Sequence, residues 1–286
     1  MRKAMLVLAA GALAGTASAQ MMYATNNLAA TNGYTGGGDQ LIMFDAANPA
    51  GWTGIEITDS VSGRGLNGWG GLDFDGGGTL WGADSFGSNP GGIYTVNPAT
   101  GVATLVGNGP AAMADLAWDP NTGDLYGTDA AGNLWGNMDD PTNAVLIGNY
   151  GISSLEVGLG FDSNGNLFMH DLVSDGIYTA PAGNLTSVAL MYTLPFDSNF
   201  SQGLFVDWSR NDDGFHGALN NSALTTEVWP FATDGSGYGP MLSVFPQDAG
   251  TGLPEVELGD LTMLPIPAPA SLGLLGLGLV GLRRRR

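Results

Sequence analysis

The chain has no cysteine, almost no base outside its two ends, and no sustained helical period in its body. Without cysteine a folded domain is held by burial and hydrogen bonding, with no disulfide to close its loops. Six of the eight bases are Arg2, Lys3 and Arg283 to Arg286, which leaves Arg64 and Arg210 among 27 acids. That body carries a charge of about −25, which repels phosphate backbones and anionic lipid and excludes nucleic-acid binding. Disorder is excluded on other grounds, because 44% of the 286 residues are apolar, enough for a sizeable core. The 47 glycines and 15 prolines, about a fifth of the chain, follow no collagen period and fall short of low-complexity composition.

Both ends read as addresses. Arg2 and Lys3 precede an apolar run, Met5 to Ala14, and Ala17, Ser18 and Ala19 are the small residues that a signal peptidase accepts before Gln20. Residues 1–19 are therefore expected to be an export signal. A core helix in their place would carry Gly11 and Gly15 inside it and leave the basic start unexplained. At the other end Pro265, Pro267 and Pro269 lead into an uncharged run, Ser271 to Leu282, and then Arg283, Arg284, Arg285 and Arg286. As a helix that run spans about 18 Å, short of a hydrocarbon core of about 30 Å, and its arginines stay on the cytoplasmic side. The order of Pro267-Ala268-Pro269, short apolar helix and arginine cluster resembles the PEP-CTERM sorting signal of Gram-negative bacteria, with Ala268 where that family usually has Glu. The resemblance covers the end of a 264–286 segment. It implies transient membrane insertion, recognition by an exosortase-type sorting enzyme, and passage through the inner membrane to the cell envelope, cell surface or extracellular matrix. A plain tail anchor is the competing reading.

Between the ends one unit recurs. Gly71-Leu72-Asp73-Phe74-Asp75 is followed by Leu80-Trp81-Gly82-Ala83-Asp84, Ile93-Tyr94-Thr95-Val96 and Ala103-Thr104-Leu105-Val106. Further copies start at Asp115-Leu116, Gly158-Leu159 and, more loosely, Gly203-Leu204, so that Leu72, Leu116, Leu159 and Leu204 lie 44, 43 and 45 residues apart. Each segment is short, rich in aromatic and β-branched residues, and bounded by Gly, Asn, Asp or Pro, which is a strand signature. Four strands per repeat at this period predict an all-β fold, a β-propeller. A β-sandwich competes but does not call for a repeat.

The ends of the body set the blade count. Met22 to Asn26, Leu41 to Phe44 and Gly54 to Ile57 match strands two, three and four of a blade whose first strand appears only at Gly259 to Met263. Residues 20–263 are thus expected to form five blades, the last strand closing the first blade and leaving no free terminal edge. The units resemble those of bacterial extracellular propeller proteins, a likeness that specifies a fold and not a chemistry.

Candidate sites follow from the repeat. Asp84, Asp129 and Asp171, with Asn26, occupy one position at the end of strand two, and Ala218 breaks the pattern in the last copy. Four acceptors at one level could hold a cation or polar ligand, or, as acids, serve glycoside hydrolysis. The competing role is to bond the following turn. Asp162-Ser163-Asn164-Gly165-Asn166 is a loose Ca²⁺ loop, with Asp162, Asn164 and Asn166 as oxygen donors and no distal bidentate Glu, and turn formation explains it as well. Trp69, Tyr150 and Phe200, in the segments joining blades, could stack on sugar rings or pack between blades. His170 lies two residues beyond Phe168 and His216 one beyond Phe215, so on strands aligned by those aromatics they point to opposite faces, which argues against a shared metal site. No H-E-x-x-H, G-x-S-x-G or Walker sequence occurs. The expectation is an exported, non-enzymatic propeller that binds or structures extracellular polysaccharide, with no cofactor unless Ca²⁺. The alternative is a glycoside hydrolase or lyase using the acidic ring.

Overall fold

The computed structural model describes residues 21–27, 38–152, 157–247 and 255–266, with the side chains of 157, 199–202 and 243 left aside. The signal-cleavage residues Ala17, Ala19 and Gln20, and the sorting residues Pro267, Ala268, Pro269 and Arg283 to Arg286, lie outside the described residues. Among those described, no helix is long and apolar enough to cross a membrane.

Five antiparallel four-stranded units form the body, one of them extended by a short parallel strand, Thr58–Asp59. Blade 1 consists of Leu258–Met263, Met21–Asn26, Gln40–Asp45 and Asn48–Glu56. Blade 2 is Trp69–Phe74, Leu80–Asp84, Gly92–Val96 and Val102–Asn108. Blade 3 is Met113–Asp119, Asp124–Asp129, Asn133–Gly136 and Val145–Asn149. Blade 4 is Val157–Phe161, Leu167–Asp171, Gly176–Ala180 and Ala189–Thr193. Blade 5 is Ser198–Asp207, Asp213–Asn220, Thr225–Ala232 and Ser243–Val244. The expected closure is present, with Met22 opposite Met263 and Ala24 opposite Leu261. The fourth strand of blade 1 starts at Asn48, earlier than the expected Gly54. The Ala47 N–H donates to the Asp45 carboxylate at 3.0 Å, closing a turn tight enough for Asn48 to pair back to Asp45.

Alternation along each strand sends side chains to both faces of its sheet, and each face meets a neighbouring blade. Five apolar clusters result, one in each seam. Phe74 and Trp69 fill the seam between blades 1 and 2, Met113 and Leu125 that between 2 and 3, and Phe161 and Met169 that between 3 and 4. Phe168 and Phe231 occupy the seam between 4 and 5, and Phe44 and Phe245 that between 5 and 1. Each large side chain so buried contributes about 1.5–3 kcal/mol.

This stacking overturns the expectation for the histidines. Phe168 and Phe215 do occupy equivalent positions, and His170 and His216 do leave opposite faces of their own sheets. The forward face of blade 4 packs on the rearward face of blade 5, however, so the two rings meet there with centroids 4.3 Å apart. Both are fully buried.

At the axis the first strands approach so closely that side chains are excluded at set positions. A Cβ on Gly203 would lie 2.6 Å from the Leu261 nitrogen, and one on Gly71 would lie 2.7 Å from the Leu116 nitrogen. Gly203→Ala is therefore expected to destabilise the protein by about 2 kcal/mol or more, read as a lower midpoint in urea denaturation.

Candidate functional site

The second strand of every blade ends on the same face of the disk, here called the upper face. The chain enters at Met21 and leaves after Met263 on the opposite, lower face. The acceptors marked by the repeat all sit at the upper ends of second strands, and their oxygens are engaged. Asp84 accepts from the backbone N–H groups of Gly87 at 2.6 Å and Asn89 at 2.8 Å. Asp129 accepts from the N–H groups of Ala131 and Asn133, the Asn133 amide and the Trp135 indole N–H, at 2.9–3.1 Å. Asp171 accepts from Val173 N, Ser174 N and the Ser174 hydroxyl. Asn26 accepts from Glu257 N at 3.0 Å. Burial works against the Asp129 carboxylate, but its donors outweigh burial and hold its pKa below the usual range, whereas burial dominates at Asp84 and raises it. The gap at Ala218 is filled two residues later. The second strand of blade 5 runs on to Asn220, whose amide oxygen accepts from Ser222 N and Ala223 N.

The aromatic candidates fall elsewhere. Trp69 is fully buried in the seam between blades 1 and 2. Tyr150 is buried between blades 3 and 4, where its hydroxyl donates to Thr128 Oγ1 at 2.5 Å. Neither presents an open ring face for stacking. Phe200 lies in the first strand of blade 5, and its side chain is outside the described residues. The loose Ca²⁺ loop is on the lower face. One Asp162 oxygen accepts from Asn164 N and Asn166 N, the other accepts from the Asn166 amide, and the Asn166 oxygen accepts from Ala182 N. These are turn contacts, and among the described residues no cluster of three or more His, Cys, Asp or Glu is placed to hold a metal ion.

The most unusual acids, Asp73, Asp115 and Asp260, are ones that the repeat pattern does not single out as a site. They are buried on the first strands at the axis. Each reaches into the next blade. Leu72 N donates to Asp260 at 2.5 Å, Trp118 N to Asp73 at 2.8 Å, and Leu159 N to Asp115 at 2.5 Å. Thr262 Oγ1 closes back onto Asp73 at 2.6 Å. The carboxyls of Asp115 and Asp260 also hydrogen-bond to each other, which requires a shared proton. Burial pushes Asp73 up to about 7 and raises Asp115 and Asp260 well above the carboxylate range, with mutual repulsion adding to Asp260. One signal in the sequence does mark two of them: Asp115 and Asp260 stand just before the repeat leucine, where Gly71, Gly158 and Gly203 stand in the other blades. A further carboxyl, Asp39, lies near the upper end of the first seam. It accepts from Trp69 N at 3.1 Å and is pushed up to about 6 by burial, then by Asp84 and Glu257.

The chain is thus a five-bladed β-propeller whose acids serve mainly as acceptors for its own backbone. No protein-family model matches it, and neither does any curated protein. Among solved structures, a chain from the crystal structure of a nidogen/laminin complex superposes with a TM-score of 0.53 at 12% identity, covering 87% of this chain and 98% of that one. The streptogramin B lyase structure aligns at 15% identity over 67% of this chain and 57% of that one, with a TM-score of 0.41. The first likeness shows the propeller fold alone, and the second is too distant to carry an argument.

Asp129→Ala is expected to cost about 2–3 kcal/mol by stripping four donors of their acceptor, measurable by chemical denaturation. The axial acids make a pH prediction. The folded protein holds protons that the unfolded chain releases above the ordinary value of 3.8, so their contribution is full below that pH and is lost as pH rises through the folded value. For Asp73 the window runs from about 4 to about 7 and is worth on the order of 4 kcal/mol. Urea midpoints should fall between about pH 5 and pH 8, and less steeply in Asp73→Asn.

Proposed function

We propose that this chain is an exported propeller of the cell envelope, sorted through residues 264–286 by an exosortase-type enzyme, which acts by binding extracellular polysaccharide and not by turnover. The observation that carries the preference for binding is the state of the carboxylates. Glycoside cleavage requires a pair of carboxyls open to substrate, one to protonate the leaving oxygen and one to act as base or nucleophile. Asp84, Asp129 and Asp171 are engaged by their own turns, and Asp73, Asp115 and Asp260 are sealed at the axis. Neutral, hydroxyl-rich polymers suit a body with about 25 uncompensated negative charges, which disfavours anionic ligands. Both chain exits lie on the lower face, so a tail inserted in or near a membrane leaves the upper loops turned outward.

The test is a screen of residues 20–265 against neutral and acidic glycans, with and without Ca²⁺, followed by thermal shift and by assay for new reducing or unsaturated ends. A neutral polysaccharide should raise the melting temperature by roughly 5 °C near saturation without being cleaved. Cleavage that disappears in the triple variant Asp84→Asn, Asp129→Asn, Asp171→Asn would favour the hydrolase or lyase. Cell fractionation with residues 264–286 deleted should show the protein failing to reach the cell surface.

A further inference from the structure

The chain has two histidines, 46 positions apart, and they touch. Their rings meet in the seam between blades 4 and 5 with an angle of 51° between planes, and neither ring nitrogen of His216 has a hydrogen-bond partner among the described residues. A buried neutral imidazole without partners costs stability that an apolar residue of the same size would not. We propose that the seam between blades 4 and 5 is an acid-sensitive latch, closed while the His216 imidazole is neutral and opened locally when it takes up a proton.

The seam is suited to open first. Its apolar cluster has five buried residues among those described, against thirteen in the seam between blades 5 and 1. The axial carboxylates tie blade 1 to 2, blade 2 to 3 and blade 3 to 4, and none of them reaches across from blade 4 to 5. Gly158 stands there instead, where a Cβ would lie 2.9 Å from Leu204 Cβ. Bonds that do cross run between the lower hairpins from Ser163 to Asp212, at the outer strands from the Tyr192 hydroxyl to the Ala232 carbonyl, and at the upper rim from Ser198 N and Oγ to the Asp175 carboxylate, and none of them engages a ring nitrogen of His216.

Among the described residues around His216, no carboxylate is left free to compensate an imidazolium. From blade 4 the pair is faced by Phe168, Ile177 and Tyr192, and from blade 5 by Leu204, Trp229 and Phe231. Glu227 shares the sheet face of His216, but its carboxylate already accepts from Asn220, Thr225 and Trp229. Asp171, next to His170 in sequence, turns its carboxylate to Val173 and Ser174. Burial first, and then the neighbouring His170, hold His216 well below the ordinary histidine range. In an opened seam it would titrate near 6.5. Protons therefore favour the open form below that pH, and the closed form is fully favoured above it.

Hydrogen–deuterium exchange of the unmodified protein at about pH 7.5 and pH 5, corrected for intrinsic rates, tests this. The amides of Leu167–Asp171 and Asp213–Asn220 should lose protection by roughly tenfold per pH unit below about 6.5, while Trp69–Phe74 and Met113–Asp119 keep theirs. His216→Met should remove most of that loss. A His216 ring resonance that titrates near 6.5 in the folded protein overturns the proposal. So does an acid response spread evenly over the five blades, or one that persists in His216→Met. The resonance measurement stands even if the variant fails to fold.

Discussion

Everything in this molecule depends on how closely five first strands can approach a common axis. The ring closes only if the tightest point between each first strand and the next is either left without a side chain or filled by one that bonds the neighbouring backbone. The chain meets that requirement in two ways at one repeat position. Gly71, Gly158 and Gly203 leave the space empty, so that backbone meets backbone. Asp115 and Asp260 instead fill it with a carboxyl that accepts the N–H of the next blade's leucine. The second solution adds a bond across the seam and requires a protonated carboxyl in the interior, because the two acids also contact each other.

The same reliance on backbone donors explains why so acidic a chain folds without bases to neutralise it. One salt bridge is found among the described residues, between Arg210 and Asp207. The carboxylates are satisfied by N–H groups instead, at the upper turns by Asp84, Asp129 and Asp171 and at the lower hairpins by Asp75, Asp119 and Asp162. Charge-assisted bonds of this kind are stronger than neutral ones and organise tight turns. In a chain without cysteine they do the local work of loop closure, while the shared blade 1 does the global work.

Much of the architecture is legible in the amino-acid order alone. The 43 to 45 residue spacing of Leu72, Leu116, Leu159 and Leu204 marks the blades, and the unmatched strand at Gly259 to Met263 marks the closure. Candidate site residues are legible in position and less so in role. The repeat locates the end of strand two correctly in four blades. In blade 5 the equivalent is Asn220 and not Ala218, because that strand is longer than its copies. Tyr150 falls in a connecting segment where the repeat puts it and Trp69 opens the first strand of blade 2 instead, but burial of an aromatic between two sheets leaves no mark in the local sequence that distinguishes it from exposure.

The sequence by itself determined what depends on near neighbours along the chain: the position of each repeated strand, the face of its own sheet that each residue occupies, and the excess of acid over base. Only the tertiary structure decided which faces meet and at what height. Opposite faces of two separate sheets are far apart, yet opposite faces of adjacent blades are one seam, and so His170 and His216 share a site that alternation alone had separated. The axial acids became a proton-sharing group for the same reason. Their pairing comes from blades 1 and 3, whose contact exists only once the ring has closed.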